Sequence, residues 1–170
     1  MRRGPCRRRL GDSEDNVLIV QGNLAGTYRM LGRFEEALLM KRDVHTGCLK
    51  LYGEEDKETF REAGNYASLL NELKRFKETE ALLRKAMPVA RRVLGENHHL
   101  TLRMRWAYTR ALYSAEGATL DDLRESVTML EDTARIRRRV FGAAHPTTTN
   151  IEKCLKSVRA VLRANEEMRP

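Results

Sequence analysis

Aromatic side chains and long apolar runs are both scarce in this sequence, and each scarcity argues against a class of protein. Only 6% of the 170 residues are aromatic, with a single tryptophan, so the core is expected to be mainly aliphatic. No apolar run approaches the roughly 20 residues that a membrane-spanning helix needs, and none follows the basic start as a secretory signal would require. The remaining composition, 41% hydrophobic and 33% charged, is typical of a soluble helical domain that does not enter a membrane.

Cysteine is also scarce. The three cysteines, Cys6, Cys48 and Cys154, are isolated and far apart, and no CxxC pair is present. Neither a zinc finger nor a disulfide framework is therefore predicted. Isolated thiols favour a reducing compartment, and we expect the chain to be cytoplasmic.

The sequence lacks the common motifs of catalysis and nucleotide binding. It contains no P-loop, no GxGxxG after a strand, no GxSxG and no HExxH. The acidic pairs at 35–36, 54–55 and 121–122 fall at helix starts or in linkers, where negative charge stabilises a helix N-terminus without any catalytic role. We predict that the chain is not an enzyme, and that it has no catalytic residues, no metal, no cofactor and no small-molecule substrate.

Positive charge is concentrated at the start of the chain. Of the formal net charge of +8, five charges come from Arg2, Arg3, Arg7, Arg8 and Arg9, so the rest of the chain is only mildly basic. Nucleic-acid binding would then depend on this arm and is not the favoured function. The arm, residues 1–9, can equally be the remnant of a preceding repeat helix.

An internal repeat is the strongest feature that is present. Glycines recur at intervals of 42, 42 and 47 residues, and each follows a basic residue by three places; they are Gly11, Gly53, Gly95 and Gly142. This pattern predicts helices that end in positive charge and are each followed by a glycine in the left-handed conformation. A search for repeats of this length precedes any other assignment.

A second motif keeps the same spacing. The segment NLAGTYRMLGRFEEA (23–37) lies 42 residues before NYASLLNELKRFKET (65–79), and a third, divergent copy begins at AYTRALYSAE (107–116). Extra residues follow that copy, where Thr119 and Asp122 are spaced as an N-terminal cap for the next helix. Each unit thus contains two helical patterns, and the helix pairs must stack to bury their apolar faces.

Adjacent histidines, His98 and His99, lie in the linker of the third unit. Their counterparts in the segment GAAHP are His145 and Pro146. Because the same place holds histidine or proline, and no third ligand lies at useful spacing, we interpret these residues as turn or first-turn positions rather than as a metal site.

The segments GENHHLTL, GAAHPTTT, NLAGTYRMLGRFEEA and NYASLLNELKRFKETEALLRKA resemble the 42-residue tetratricopeptide repeats of kinesin light chains and nephrocystin-like proteins. The resemblance covers roughly residues 7 to 163. It implies an all-α, right-handed α-solenoid of stacked antiparallel helix pairs, with about three pairs and a terminal capping helix. The implied division is an arm 1–9, one domain 10–163 with repeats 10–51, 52–93 and 94–140 and a capping helix 141–163, and a tail 164–170.

Two residues depart from this pattern. Pro88 lies inside a predicted helix, where its ring crowds the carbonyl of Arg84, so a kink or an early end is expected. Arg105 occupies a place that should face the partner helix, which predicts imperfect packing there.

The resemblance also implies a binding surface, because the first helix of each pair lines the concave face in such arrays. The stripe opposite the packing residues contains the predicted peptide-binding residues Asn23, Arg61, Asn65, Ser68, Arg103, Trp106 and Arg110. Asn23 and Asn65 match an asparagine that hydrogen-bonds the peptide main chain in the kinesin light chain pattern. Small residues on this stripe, such as Gly64, would admit another backbone.

The remaining members of this stripe suggest what would bind. Arg61, Arg103 and Arg110 surround Trp106, and arginine pairs well with carboxylates while tryptophan is a favoured interface anchor. We predict a protein-binding scaffold that holds an extended, acidic peptide segment. One alternative is a structural segment of a larger assembly that binds through its convex face or its open ends, including self-association through the first unit. The other is nucleic-acid binding through the arm.

Overall fold

The structure is a computed structural model that describes the backbone of residues 5–167 and the side chains of residues 13–167. Within this range the chain is all-α, and consecutive helices pack as antiparallel pairs, which confirms the predicted class of fold. The helices are α1 (Pro5–Met30), α2 (Phe34–Tyr52), α3 (Lys57–Glu72), α4 (Phe76–Leu94), α5 (His99–Ser114), α6 (Leu120–Phe141) and α7 (Pro146–Glu167). The predicted arm 1–9 and tail 164–170 lie partly outside the described residues.

The core consists of three clusters strung along the stack. The largest lies between α3, α4 and α5 and includes Leu83 and Met104, both fully buried. A second joins α5, α6 and α7 around Leu130 and Ile151, and a third joins α2 to α3 around Leu38. Each helix packs against its neighbours in sequence, and α3 also packs directly against α5. The core is mainly aliphatic, as the composition predicts.

Three of the four repeating glycines end helices as predicted. Gly53, Gly95 and Gly142 directly follow α2, α4 and α6 and have φ angles of 91°, 89° and 87°. Glycine adopts these angles without the steric cost that a side chain would bring. Each N–H donates to the carbonyl four residues earlier, which satisfies a helix-terminal acceptor.

The histidines of the linkers start helices. The Nδ1 atom of His98 accepts from the backbone N–H of Leu100 at 3.3 Å, and Nδ1 of His145 accepts from that of Thr147 at 3.2 Å. Both histidines therefore occupy the turn that precedes a helix, which confirms their interpretation. Across the described residues, no three His, Cys, Asp or Glu side chains are grouped so that they could hold a metal ion.

The predicted cap of α6 is also present. The Thr119 hydroxyl accepts from the N–H of Asp122, and the Asp122 carboxylate accepts from the N–H of Thr119. This reciprocal pair satisfies two donors that the start of the helix leaves without intrahelical partners.

The helix break predicted at Gly11 is wrong, because α1 runs without interruption from Pro5 to Met30. The other three glycines are each followed three residues later by a side chain that caps the next helix or its first turn; these are Asp56, His98 and His145. The corresponding residue after Gly11 is Glu14, which is not a favoured capping residue. A glycine inside a helix costs only about 1 kcal/mol relative to alanine, so without a new start the helix continues.

Of the kink or early end expected at Pro88, the early end does not occur, since α4 continues through it to Leu94. Pro88 and Arg84 both lie on the exposed side of α4. The carbonyl that loses its intrahelical donor there is accessible to water, so the cost of the proline is reduced. No helix in the described range is long and apolar enough to cross a bilayer.

A candidate peptide-binding groove

The predicted groove residues line two adjoining cavities on one side of α1, α3 and α5. Asn65, Ser68, Arg103, Trp106 and Arg110 line the first cavity, of about 440 Å³. The second cavity, of about 570 Å³, is lined by Asn23, Arg61 and again Asn65. The structure thus places all seven predicted residues along one groove, with Asn65 where the two cavities meet.

The first cavity carries most of the positive charge. Arg103 and Arg110 lie on either side of Trp106 along α5, and neither forms an ion pair with any residue in the described range. Trp106 is half-buried, and it packs against the core between α5, α6 and α7 while also lining the cavity. A fixed aromatic side chain flanked by two guanidinium groups without carboxylate partners is the main chemical feature of this end.

Arg103 crosses from α5 to α3. Its Nη2 donates to the carbonyl oxygen of Arg61 at 2.8 Å, and burial lowers the pKa of the guanidinium. A Cβ atom at Gly64 would lie only 2.9 Å from that Nη2, so a larger residue there would make the Arg103 side chain shift. The space that was expected to admit a foreign backbone at Gly64 is occupied in this structure by the Arg103 side chain.

An ion pair that the sequence analysis missed lines the first cavity between α1 and α3. Arg29 on α1 donates from Nε and Nη2 to the two carboxylate oxygens of Glu72 on α3, at 2.7 and 2.6 Å. The hydrogen bonds to Glu72 raise the pKa of Arg29. This two-point contact bridges α1 and α3 and neutralises the one carboxylate in the lining. Its sequence signal is the placement of Arg29 three residues, about one helical turn, after Gly26.

A buried charged pair at the base of the groove was also missed. Glu62, 5% exposed, accepts from Lys41 Nζ at 3.0 Å, from Asn65 Nδ2 at 2.9 Å and from Arg61 Nε at 3.3 Å. The carboxylate therefore fixes the amide of Asn65 and holds the ammonium of Lys41, which lines both cavities. The signal in the sequence is a charged residue at position 41, within a helical pattern that otherwise places apolar residues there.

The second cavity has the opposite charge character. Carboxylates of Asp15, Asp56 and Glu58 lie along it together with Glu62, above an apolar wall. The hydroxyl of Tyr52 donates to Asp15, and burial together with this contact raises the pKa of Tyr52. The groove therefore changes from acidic near the N-terminal end of α3 to cationic around Trp106.

Comparison with known families agrees with this architecture. Two tetratricopeptide repeat models match the chain, one over residues 59–119 and the other over residues 17–56 and 118–147. Together these matches extend over most of the seven helices. The chain belongs to the tetratricopeptide repeat proteins. Members of this family are generally non-catalytic, and their repeats commonly mediate interactions between proteins.

A solved structure shows the same fold. A Podosopora anserina protein assigned as a kinesin light chain with nearly identical tetratricopeptide-like repeats aligns with a TM-score of 0.61 at 19% identity, over 89% of this chain and 77% of that one. BtubC (BKLC) from P. vanneervenii aligns with a TM-score of 0.48 at 16% identity, over 92% of this chain and 67% of its own. No curated protein matches the sequence.

Proposed function

We propose that this protein is a non-catalytic scaffold whose groove binds an extended, acidic peptide segment of a partner protein. The segment lies across α1, α3 and α5, with an apolar residue against Trp106 and carboxylates against Arg103 and Arg110. The observation that carries the proposal is the pair of guanidinium groups beside Trp106, which have no carboxylate partner in the described chain although carboxylates are plentiful elsewhere along the groove.

The energetics favour this ligand chemistry. A half-buried tryptophan that is already fixed by core packing loses little conformational freedom when a ligand covers it, and such residues often dominate interface energies. Guanidinium groups in a partly desolvated cavity gain more from a carboxylate than exposed ones do. An acidic segment with one apolar residue satisfies both features at once.

The asparagines supply contacts that do not depend on the peptide sequence. The amide of Asn65 is fixed by Glu62 at 2.9 Å, and Asn23 lies along the same groove. A side-chain amide carries both donors and an acceptor, which suits a peptide group. The equivalent positions in later units hold Ala107 and Cys154, so these contacts are confined to the first two units.

Arg110→Glu tests the proposal, because Arg110 lines the cavity without taking part in the contact of Arg103 across Gly64. Arg139→Glu is the matched control, since it makes the same charge change at an exposed site on α6 away from both cavities. An array of short peptides identifies acidic binders with an apolar residue, and fluorescence anisotropy then measures their affinities. We expect Arg110→Glu to weaken binding at least tenfold, or about 1.4 kcal/mol, and Arg139→Glu to leave it unchanged.

Equal binding by the two variants would overturn the groove assignment. Binding of no peptide by the unaltered protein would overturn the scaffold proposal in this form. The alternative of a structural segment would then gain support from α1, where Val17, Val20 and Leu24 are 51%, 63% and 39% exposed. That surface would be tested by measuring whether the mass in solution depends on concentration.

A further inference from the structure

Three junctions between successive helix pairs can be compared position by position, because the repeat offsets are 42 and 47 residues. At each junction, one residue of a second helix meets one residue of the following first helix. The pairs are Lys41 with Glu62 between α2 and α3, Leu83 with Met104 between α4 and α5, and Leu130 with Ile151 between α6 and α7. The first pair is charged, and the other two are apolar and almost completely buried.

The two apolar junctions show what the fold itself needs at these positions. Leucine opposite methionine or isoleucine gives a continuous core at both places. A buried ion pair in the same position carries a desolvation cost, and its replacement by apolar residues of similar size is often neutral or stabilising. Stability therefore does not explain the charges of Lys41 and Glu62, whose side chains are 12% and 6% exposed.

The position of Lys41 provides another explanation. Its ammonium group has three N–H donors, and within the described chain only Glu62 accepts from it. Lys41 lines both cavities of the groove. A Cβ atom at Gly22 would already lie 3.7 Å from Nζ, so any longer side chain there would cover the ammonium group, and glycine leaves it accessible.

The partner carboxylate decides what the remaining N–H donors of Lys41 can bind. Because Glu62 neutralises the charge of Lys41 at 3.0 Å, a second carboxylate would gain little from the ammonium and would be repelled by Glu62. A neutral carbonyl oxygen has no such penalty. Asn65, fixed by the same carboxylate, adds an amide beside it.

We infer that Lys41 is a further peptide-binding residue, which donates to a main-chain carbonyl of the bound segment while Glu62 positions both Lys41 and Asn65. This inference rests on the proposed function and divides the groove in two. Arg103 and Arg110 select acidic side chains, whereas Lys41, Glu62 and Asn65 hold the peptide main chain regardless of sequence.

The double variant Lys41→Leu/Glu62→Met tests this division. It places at the α2–α3 junction the same residue types, leucine and methionine, that occupy the equivalent positions of the α4–α5 junction. The matched control is Arg159→Leu/Glu131→Met, which removes an exposed ion pair between α6 and α7 with the same change of charges. Affinities are measured for the acidic binders and for derivatives in which single acidic residues are neutralised, at low and high salt. Melting curves report the stability of each variant.

We expect the groove variant to lose about tenfold in affinity for every peptide in the series, with an unchanged salt dependence and an unchanged or higher melting temperature. The control variant should bind all peptides normally. By contrast, Arg110→Glu should weaken the binding of the most acidic peptides most, and this effect should decrease as the salt concentration rises.

Other results would overturn the inference. Normal binding by the groove variant would show that Lys41 makes no contact, and the proposed function would stand. A loss that follows peptide acidity and salt would mean that Lys41 acts through its charge rather than on the main chain. A marked fall in the melting temperature of the groove variant would show that the Lys41–Glu62 pair is present because it stabilises the fold. Failure of the unaltered protein to bind any peptide would overturn the proposed function and this inference together.

Discussion

The junction between α2 and α3 and the junction between α4 and α5 use the same repeat positions and differ in what fills them. Leu83 and Met104 join the largest cluster of the core, whereas Lys41 and Glu62 form a charged pair beside two cavities. Neither groove cavity reaches Leu83 or Met104. Both cavities of the groove therefore border the polar pair through Lys41, and neither borders the apolar pair.

The same contrast continues along the first helices of the pairs. Equivalent positions hold Gly22, Gly64 and Trp106, so the side chain grows from none to the largest available. In the first unit Gly22 leaves space beside Lys41, whereas in the third unit the Trp106 ring occupies the equivalent position and packs on the core. In the second unit the Arg103 side chain occupies the space next to Gly64. In the same direction, α3 packs directly on α5, whereas α1 packs less closely on α3. The contacts of α1 with α3 include the ion pair of Arg29 with Glu72 and the packing of Tyr28 against the cluster that contains Leu69 and Leu70.

The largest expected effect comes from breaking the polar junction on one side only. Lys41→Met leaves the charge of Glu62 buried, with Arg61 Nε at 3.3 Å as its cationic partner and the amide of Asn65 at 2.9 Å. We expect a loss of about 3 kcal/mol in the free energy of unfolding, measured by urea denaturation. Adding Glu62→Met should recover most of this loss, because no uncompensated charge remains.

The apolar junction supplies the contrast to that experiment. Leu83→Ala should cost a similar amount, about 3 kcal/mol, through a cavity. Substitution of Met104 by another apolar residue of its size should not recover it. If Lys41→Met were nearly neutral by itself, the charged pair would be more hydrated than its burial indicates, and the two junctions would differ little in their energetics.

A smaller effect is expected at the helix starts, which also differ between units. The start of α6 has a reciprocal cap between Thr119 and Asp122, while the side chain of Arg75, which directly precedes α4, makes no capping hydrogen bond. Thr119→Ala should lower the free energy of unfolding by about 1 kcal/mol. Arg75→Ala, which removes exposed ion pairs with Glu78 and Glu35, should change it by less than about 0.5 kcal/mol. Equal losses in the two variants would contradict this ranking.

The smallest expected effect is a change in the slope of stability with pH. His45 on α2 is buried against Tyr66, where the equivalent residue of α4 is Met87, and burial lowers the pKa of His45. The unfolded chain therefore binds this proton more readily, so stability is intact above the ordinary pKa of about 6.5 and falls as the pH drops below it. His45→Met should reduce that acid-induced loss.

Denaturation at about pH 7.5 and about pH 5.5 measures this effect. The difference between the two pH values should be smaller in His45→Met than in the unaltered protein. The ring of His45 stacks on Tyr66, and the negative charge of Glu62 acts to raise the pKa of His45. The effect of His45→Met on the pH dependence should therefore also be measured in a protein that carries Glu62→Met. If the free energy of unfolding depends on pH in the same way with and without His45, unfolding does not change the protonation of this histidine.

The fold could be predicted from the sequence to the extent that its signals are local and repeated. Three such signals act within a few residues of their position. They are the glycines that end α2, α4 and α6, the cap at Thr119, and the histidine at the start of α5. Gly11 shows the limit of such signals, because a glycine ends a helix only when a new helix start follows it. Pro88 shows another, since its cost depends on which side of α4 faces water.

The groove could be predicted less completely. A helical stripe identifies which residues share a face, so Asn65, Arg103 and Trp106 were found together. It does not show what crosses between helices, which is why the path of Arg103 over Gly64 was missed. The pair of Lys41 with Glu62 joins residues 21 positions apart in different units, so its detection requires the register between repeats as well as the pattern within one.

The limited packing of α1 also has a consequence for the motion of the groove. In a linear stack each helix is held only by its neighbours, and α1 packs chiefly against α2. We therefore expect the amide hydrogens of α1 to exchange with solvent at a lower opening free energy than those of α3 to α5. One wall of the groove would then be ordered by its occupant, and part of the binding free energy would be spent on reducing the entropy of that wall.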